Sequence, residues 1–356
     1  MTKYILDLQL FATATIETGN TLASTNPTYL NTNTTGQNSL SAENRIFYNQ
    51  TLIDIAGPKL VHWQGGQKKA IPQRNGKTIQ FRSYAPLTKA LTPLTEGITP
   101  SGDSLSVTAV TAAVNQYGKY VTISDMLDLV AIDDNLLQAV KLLGDNAGLT
   151  IDTIAREIIN GGNNVYYCPK VNASTGVETE VDDRDNLDTT CELTVDVVNT
   201  IVAQMKKDNV PTINGYYHAI IHPFVAYRLK KDPLWNSIKT YSDPADWYAG
   251  EIGEIGGVRF FETSEARIFM SEAVAPFPVF STIFYGQDAY GVVDIEGGGV
   301  ETFIEQLGSG GTSDPLHQRA TAGWKGTAGG LILVDKYLVR CESRVARFDS
   351  KITAAN

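Results

Sequence analysis

The chain has 356 residues, of which 42% are hydrophobic and 19% charged, and its formal net charge is −10. That apolar fraction excludes wholesale disorder, and the length suffices for two or more domains with sizeable cores. The acidic balance argues against a generic nucleic-acid binder, which would normally be basic. Three cysteines, Cys168, Cys191 and Cys341, are too few and too odd in number for a secreted disulfide framework, so a reducing compartment is expected. Cys168 and Cys191 flank a polar loop and are the pair that air exposure could join, but the compartment argues against it.

The opening MTKYILDLQLFATA has a short apolar run that Asp7 and Gln9 interrupt, so it reads as a retained handle and not as a signal peptide. No stretch approaches the ~20 apolar residues of a membrane span, and no membrane contact is expected. Residues 12–40 are rich in Thr, Asn, Ser and Gly and read as an extended arm that is ordered only on another surface. Ser41 then caps a helix that ends at Gly57-Pro58, with Tyr48, Leu52 and Ile55 as its apolar stripe.

Residues 59–121 change character. Alternating runs such as KTIQFRSY and SLSVTAVTAAVNQYGKYVTI, punctuated by Gly65-Gly66, Asn75-Gly76, Gly97 and Gly102, predict long two-stranded ribbons. Such a ribbon is marginal alone in water and wants a surface to lie on. Residues 122–160 predict a helical region, with Thr122 and Asp125 as a capping box. Leu136, Val140, Leu143, Ala147, Ile151, Ile154 and Ile158 form one apolar face. Gly144 and Gly148 within it would mark a bend or a close crossing.

Gly161-Gly162 stops that helix, and residues 161–193 read as an exposed acidic excursion. Thr194 caps a further helix, with Asp196 at its positive end and Lys206 and Lys207 at its negative end. YYHAIIH, GGVRFFET and PVFSTIFYG read as strands, HPFVAYRLKKD as a short helix, and GGLILVDKYLVRCESRVARF as one long strand paired in the core.

No constellation supports catalysis. His218 and His222 bracket a strand with no Cys or carboxylate motif nearby, so their expected role is structural. GEIGEIGG is not GxGxxG and reads as a turn, and GQKKAIPQRNGK lacks the hydroxyl and the helix of a phosphate loop. His317 lies in a Gly-rich loop with no Ser-x-Gly elbow to complete a hydrolase triad. No catalytic residue, cofactor or metal is therefore assigned.

The charge map is the positive signal. Residues 59–89 carry seven basic side chains and no acidic one, whereas 124–160 carry Asp125, Asp128, Asp133, Asp134, Asp145, Asp152 and Glu157 against Lys141 and Arg156. A chain complementary to its own copies suits self-assembly. The alternatives for the basic run are a solvated loop, or a nucleic-acid patch with Trp63, Phe81 and Tyr84 as its nearby aromatics.

The order of these elements resembles that of the HK97-like capsid fold, an α+β fold found in the major capsid proteins of tailed bacteriophages. Within it the chain looks like the N4-like major capsid protein family. AGPKLVHW, IPQRNGKTIQFRSYAPLTKALTPLTEGITPSG, VNQYGKYVTISDMLDL and GEIGEIGGVRFFET carry the resemblance over residues 41–350, and LDLQLFA is similar to the opening of many phage structural proteins. The resemblance implies an N-terminal arm (1–40), an N-terminal helix (41–58), an extended β-ribbon E-loop (59–121), a peripheral domain around a spine helix (122–193 and 325–356) and an α/β axial domain (194–324). Lys68, Lys69, Arg74, Lys77 and Arg82 would then be basic inter-subunit residues, and Asp125, Asp128, Asp133 and Asp134 their acidic partners near the spine. The segment DPLWNSIKTYSDPADWYAGE, with Trp235, Trp247 and Tyr248, would be an axial loop.

The function so implied is a coat protein that assembles with itself into hexamers and pentamers of an icosahedral head in the bacterial cytoplasm. Double-stranded DNA would be enclosed and not specifically bound, and scaffold, portal and decoration proteins are further partners of such heads. The Lys–Asn crosslink of some relatives has no match, and none is expected. Competing readings are an encapsulin shell, which would hold enzyme cargo, an α/β enzyme, and a β-rich tail or adhesion protein, against which the amphipathic helix argues.

Overall fold

The computed structural model describes residues 60–72, 74, 76–84, 87, 89–91, 93, 96–97, 102–126, 135–172, 174–235, 253–273, 275–296, 299–306, 314–316 and 318–356. The expected N-terminal arm and helix, with Asp128, Asp133, Asp134, Trp247, Tyr248 and His317, lie outside them.

Helix α1 (Val61–Gln64) leads into strands β1 (Gln67–Ile71), β2 (Thr78–Tyr84), β3 (Val107–Ala113) and β4 (Asn115–Ser124), and then helix α2 (Asn135–Asn160). Strands β5 (Val165–Tyr167), β6 (Lys170–Val171) and β7 (Glu178–Thr179) precede helix α3 (Val195–Lys207), strand β8 (Tyr217–Ile221) and helix α4 (Pro223–Leu229). Strands β9 (Glu254–Ile255), β10 (Val258–Glu262), β11 (Ile268–Met270), β12 (Pro278–Tyr285), β13 (Tyr290–Ile295), β14 (Glu301–Glu305), β15 (Arg319–Ile332) and β16 (Leu338–Ser343) follow. The described residues fall into two units, one drawn from 118–145 and 300–325, the other from 56–117, 146–299 and 326–356.

In the first unit β15 pairs with β14, antiparallel, and with β4. Gly323 has a packing role there: a Cβ on it would lie 2.9 Å from the Cβ of Tyr120, so only glycine lets β4 approach this closely. Thr122, expected to cap a helix, is instead in β4, which runs on to Ser124. β-branched Val121, Thr122 and Ile123 favour the strand over the cap.

In the second unit a seven-stranded sheet has the order β5-β16-β12-β8-β10-β9, with β11 also on β12. Every residue of the central strand β12, PVFSTIFY, is buried, as a continuous apolar run with neighbours on both faces should be. Helix α3 buries Val197, Val198, Ile201, Val202 and Met205 on one face, and Thr194 caps it by accepting from Val197 N–H at 3.3 Å. His222 caps α4: its Nδ1 accepts from Phe224 N–H at 3.1 Å, and Pro223 fits the first helical turn. His218 meets Phe261 and Tyr285 edge-on. Both histidines are thus structural groups.

Helix α2 keeps the expected face through Val140, Leu143, Ala147 and Ile151, but continues it through Ala155 and Ile159 while Ile154 and Ile158 are half-buried. Repeating every four residues, this row drifts round the 3.6-residue helix. Gly144 and Gly148 lie on the buried side. That side also buries polar groups. Asp152 is 0% exposed and His62 1%. Asp152 accepts from His62 N–H at 2.7 Å and from Trp63 N–H at 3.2 Å, and its other oxygen lies 2.6 Å from His62 Nδ1. The Tyr290 hydroxyl donates to the His62 carbonyl at 2.6 Å. Asn160 accepts from Ser281 Oγ at 2.6 Å, and Arg156 donates to the Glu265 carbonyl at 2.9 Å. Asp152, counted with the negative surface in the sequence, is therefore spent inside the subunit.

Strands β2 and β3 form an antiparallel ribbon of seven pairs, from Thr78↔Ala113 to Tyr84↔Val107. Its inner face carries Ile79 opposite Ala112 and Phe81 opposite Val110, packed on Ile71, Val114, Val293 and Leu331. The expected ribbon region of 59–121 is wider than this. β1 leaves it to pair in parallel with β13, and β4 pairs with β15.

Two further expectations change. The acidic excursion 161–193 is woven into the main core, where Cys168, Val181, Leu187, Cys191 and Leu193 are buried and β5 pairs in parallel with β16. Apolar residues spaced singly among acidic ones make that burial invisible to a composition count. The single tail strand is two, β15 and β16, separated by a 3₁₀ turn at Asp335–Tyr337, where Asp335 accepts from Asn163 N–H at 3.1 Å.

Replacing Asp152 with Ala orphans the His62 ring and two backbone N–H groups, and should lower unfolding stability by about 3–5 kcal/mol in a denaturant titration. Phe81→Ala opens a cavity at the ribbon base and should cost ~3 kcal/mol in the same assay. Burial pushes His222 down to about 4, and burial and Arg259 push His218 down. The unfolded chain then binds protons the folded one refuses, so stability should be full above the ordinary histidine value and fall as pH drops from ~6.5 toward 4. His222→Asn, which keeps a capping acceptor, should flatten that slope in urea titrations across the window, and an unchanged slope would exclude His222 as its source.

Candidate inter-subunit surface

The outer face of the ribbon is built by alternation. With Ile79 and Phe81 turned inward, Thr78, Gln80 and Arg82 face outward opposite Ala113, Thr111 and Ala109, and all six are exposed. Lys68 and Lys69 are exposed on β1. Arg74 takes the left-handed conformation at φ 67° and Gly76 follows at φ 88°, so the chain turns back and places Lys77 at the ribbon base. The Lys77 carbonyl accepts from Val114 N–H at 2.9 Å, fixing that end.

All five expected basic residues, Lys68, Lys69, Arg74, Lys77 and Arg82, are exposed, and none closes a salt bridge among the described residues. Lys69 Nζ lies 4.6 Å from the Phe81 ring centroid. Lys69 and Arg82 line one open cleft of about 320 Å³ with Phe81, Val110, Asp288 and Tyr337. Burial raises the Asp294 carboxyl above its ordinary range and Lys68 opposes that rise, so Lys68 acts on the strand it flanks. Beyond the ribbon base, Leu87, Leu91, Leu105 and Val107 are exposed, Leu91 by 83%. Uncovered leucines are side chains that a protein partner would remove from water.

Of the expected acidic partners, only Asp125 is described. It is half-buried, and its Oδ1 accepts from Met126 N–H at 2.7 Å. Trp235 is not on an exposed loop tip: it is 2% exposed and belongs to the main core.

Sequence reading missed a second buried charge cluster. Glu342 on β16 is 0% exposed and accepts from Arg184 Nε at 2.7 Å and Nη2 at 2.6 Å, with Arg340 Nε 3.0 Å away. This bidentate pair ties the 161–193 segment to the central sheet. Its one trace in the sequence is a carboxylate inside the otherwise apolar alternation of LVRCES. Among the described residues no group of three or more His, Cys, Asp and Glu is placed to hold a metal, and no helix is long and apolar enough to cross a membrane.

The family model described as phage capsid protein matches residues 107–338, more than half of the chain. Among curated proteins none matches. The fold is similar to the capsid of Ralstonia phage GP4, with a TM-score of 0.59 at 15% identity over 79% of this chain and 87% of that one. It is also similar to the capsid of cyanophage P-SCSP1u, with a TM-score of 0.58 at 14% identity over 78% and 85%. The capsid of Helicobacter pylori bacteriophage KHP30 gives 0.57 at 11% identity over 79% and 88%. The α+β architecture is the HK97-like one, and the chain belongs to the phage capsid protein family.

Proposed function

We propose that the chain is the major capsid protein of a tailed phage, self-assembling into hexamers and pentamers of an icosahedral head that encloses double-stranded DNA. The observation that carries this reading is the set of side chains one subunit leaves in water: Lys68 and Lys69 on β1, Arg74 and Lys77 at the turn, Arg82 on β2 and, further along the chain, exposed leucines. Residues 59–121 act as the E-loop, with the 78–84/107–113 ribbon as its rigid part, lying on an acidic surface of a second copy. Asp125, Asp128, Asp133 and Asp134 near the spine helix supply that surface. Residues 1–40 form the arm and 41–58 the N-terminal helix. The peripheral domain takes 122–193 with 325–356, and the axial domain takes 194–324, with Trp247 and Tyr248 on its axial loop.

The quoted segments favour the N4-like branch of the family. The net charge of −10 disfavours tight adhesion to DNA, so the genome is enclosed and not gripped. Assembly in the host cytoplasm completes the reading, and scaffold, portal and decoration proteins are the further partners that such heads take. The family match to phage capsid proteins favours it over a cargo-holding compartment shell.

Each exposed ion pair contributes only ~0–1 kcal/mol, so the basic surface acts by repetition and register, not by single strong contacts. Reversing Lys68, Lys69, Arg74 and Lys77 to Glu together should abolish shells in sedimentation and electron microscopy while circular dichroism stays that of the folded subunit. Normal shells from this variant would show that the basic surface is merely solvated.

A further inference from the structure

The three thiols are buried and lie outside the surface proposed for assembly, and two of them touch. Cys168 follows the short edge strand β5, and its N–H donates to the Glu342 carbonyl at 3.0 Å. Cys341 lies in the middle of β16, in register with Tyr166 on one side and Thr282 on the other. The two Sγ atoms are 3.6 Å apart, and both residues are 0% exposed. Cys191 is equally buried but occupied elsewhere: its sulfur accepts from Asp188 N–H at 3.3 Å and donates to Asp188 Oδ1 at 3.5 Å. The fold thus selects Cys168 and Cys341 as neighbours, not the Cys168 and Cys191 that flank the loop in sequence.

We propose that Cys168 and Cys341 form a redox-active pair that closes to an intramolecular disulfide when the subunit meets hydrogen peroxide. One cysteine, as thiolate, attacks a peroxide oxygen: an S–O bond forms, the O–O bond breaks, and the departing hydroxide takes up the thiol's proton as water. The second thiol then attacks the sulfenic acid: the S–S bond forms, the S–O bond breaks, and a second water leaves with the remaining proton. The two sulfurs give up two electrons and the peroxide takes them. Closure requires the sulfurs to move from 3.6 Å to a bond of ~2.05 Å, which side-chain rotation and a small shift of the edge strand can supply.

The site also sets the rate. The hydrogen bond from Cys341 and burial hold Cys168 protonated well above the ordinary thiol range, so Cys168 at rest is a poor nucleophile, and both sulfurs are shut away from solvent. Reaction therefore waits for β5, three residues long and at the sheet edge, to open. Once formed, the bond is shielded by the same burial. It joins positions 173 residues apart, so it restricts the unfolded chain strongly. The result is a subunit that folds with free thiols and gains a covalent staple across β5 and β16 under oxidation.

The test is peptide mapping of the purified full-length chain after peroxide treatment, with alkylation of the remaining thiols. The expected product is a Cys168–Cys341 crosslink with Cys191 alkylated, formed over hours, reversed by dithiothreitol, and accompanied by a melting temperature higher by roughly 5 °C. Cys191→Ser should keep the crosslink and Cys341→Ser should abolish it. Should the latter fail to fold, the wild-type map decides alone. A Cys168–Cys191 bond, a bond between copies, or Cys168 and Cys341 both still alkylated after exposed methionines have oxidised would each overturn the proposal.

Discussion

A two-stranded ribbon has two faces, and this subunit covers one. The inner face, with Ile79, Phe81, Val110 and Ala112, is settled on Ile71, Val114, Val293 and Leu331. Burying such side chains contributes about 1.5–3 kcal/mol each, so the ribbon base is held firmly. The outer face leaves Thr78, Gln80, Arg82, Ala109, Thr111 and Ala113 exposed, and the leucines further along the chain meet water. A ribbon of seven pairs cannot bury itself further without a second surface. Among the described residues nothing covers that face, and the proposed contact with a second copy would supply the missing surface.

The ribbon keeps its place only if the chain just before it is fixed to the rest of the subunit. The His62–Asp152 pair does this between α1 and α2, with Tyr290 closing the network from the sheet side. Burying two such polar side chains is expensive, and the compensation lies in three contacts to one carboxyl group together with the hydroxyl on the His62 carbonyl. Glu342 with Arg184 plays the equivalent part for the 161–193 segment. Both clusters attach an irregular stretch of chain to a regular element, where an apolar contact would hold without fixing the register.

What could be read from the sequence followed from periodicity. The cap and charged ends of α3, the strand–helix passage through His222 and Pro223, the strand β12 and the ribbon at 78–84 were legible because each is a local pattern. Two of the misreadings share a cause, which is that charge alone does not reveal burial. Asp152 and the acids of 161–193 look like surface in a composition count, yet Asp152 is wholly internal and that segment supplies core residues. The parallel pairing of β1 with β13 joins positions more than two hundred residues apart, beyond any local signal. Trp235 resembled a loop aromatic because its neighbours are Pro, Asn and Asp, but its ring is in the core. Of the proposed contact residues, the five cations were legible as a run, whereas their shared exposure depends on the strand alternation and the turn at Arg74.

The central claim is that the ribbon's open face is completed by a second copy of the chain. The most direct measurement is a cryo-EM reconstruction of the particles assembled from this protein, at a resolution that places side chains. The account predicts that Lys69, Arg82 and the leucines at 87, 91 and 105 lie against a neighbouring subunit, with carboxylates opposite the cations. A closed shell in which that face looks into solvent in every copy would contradict it.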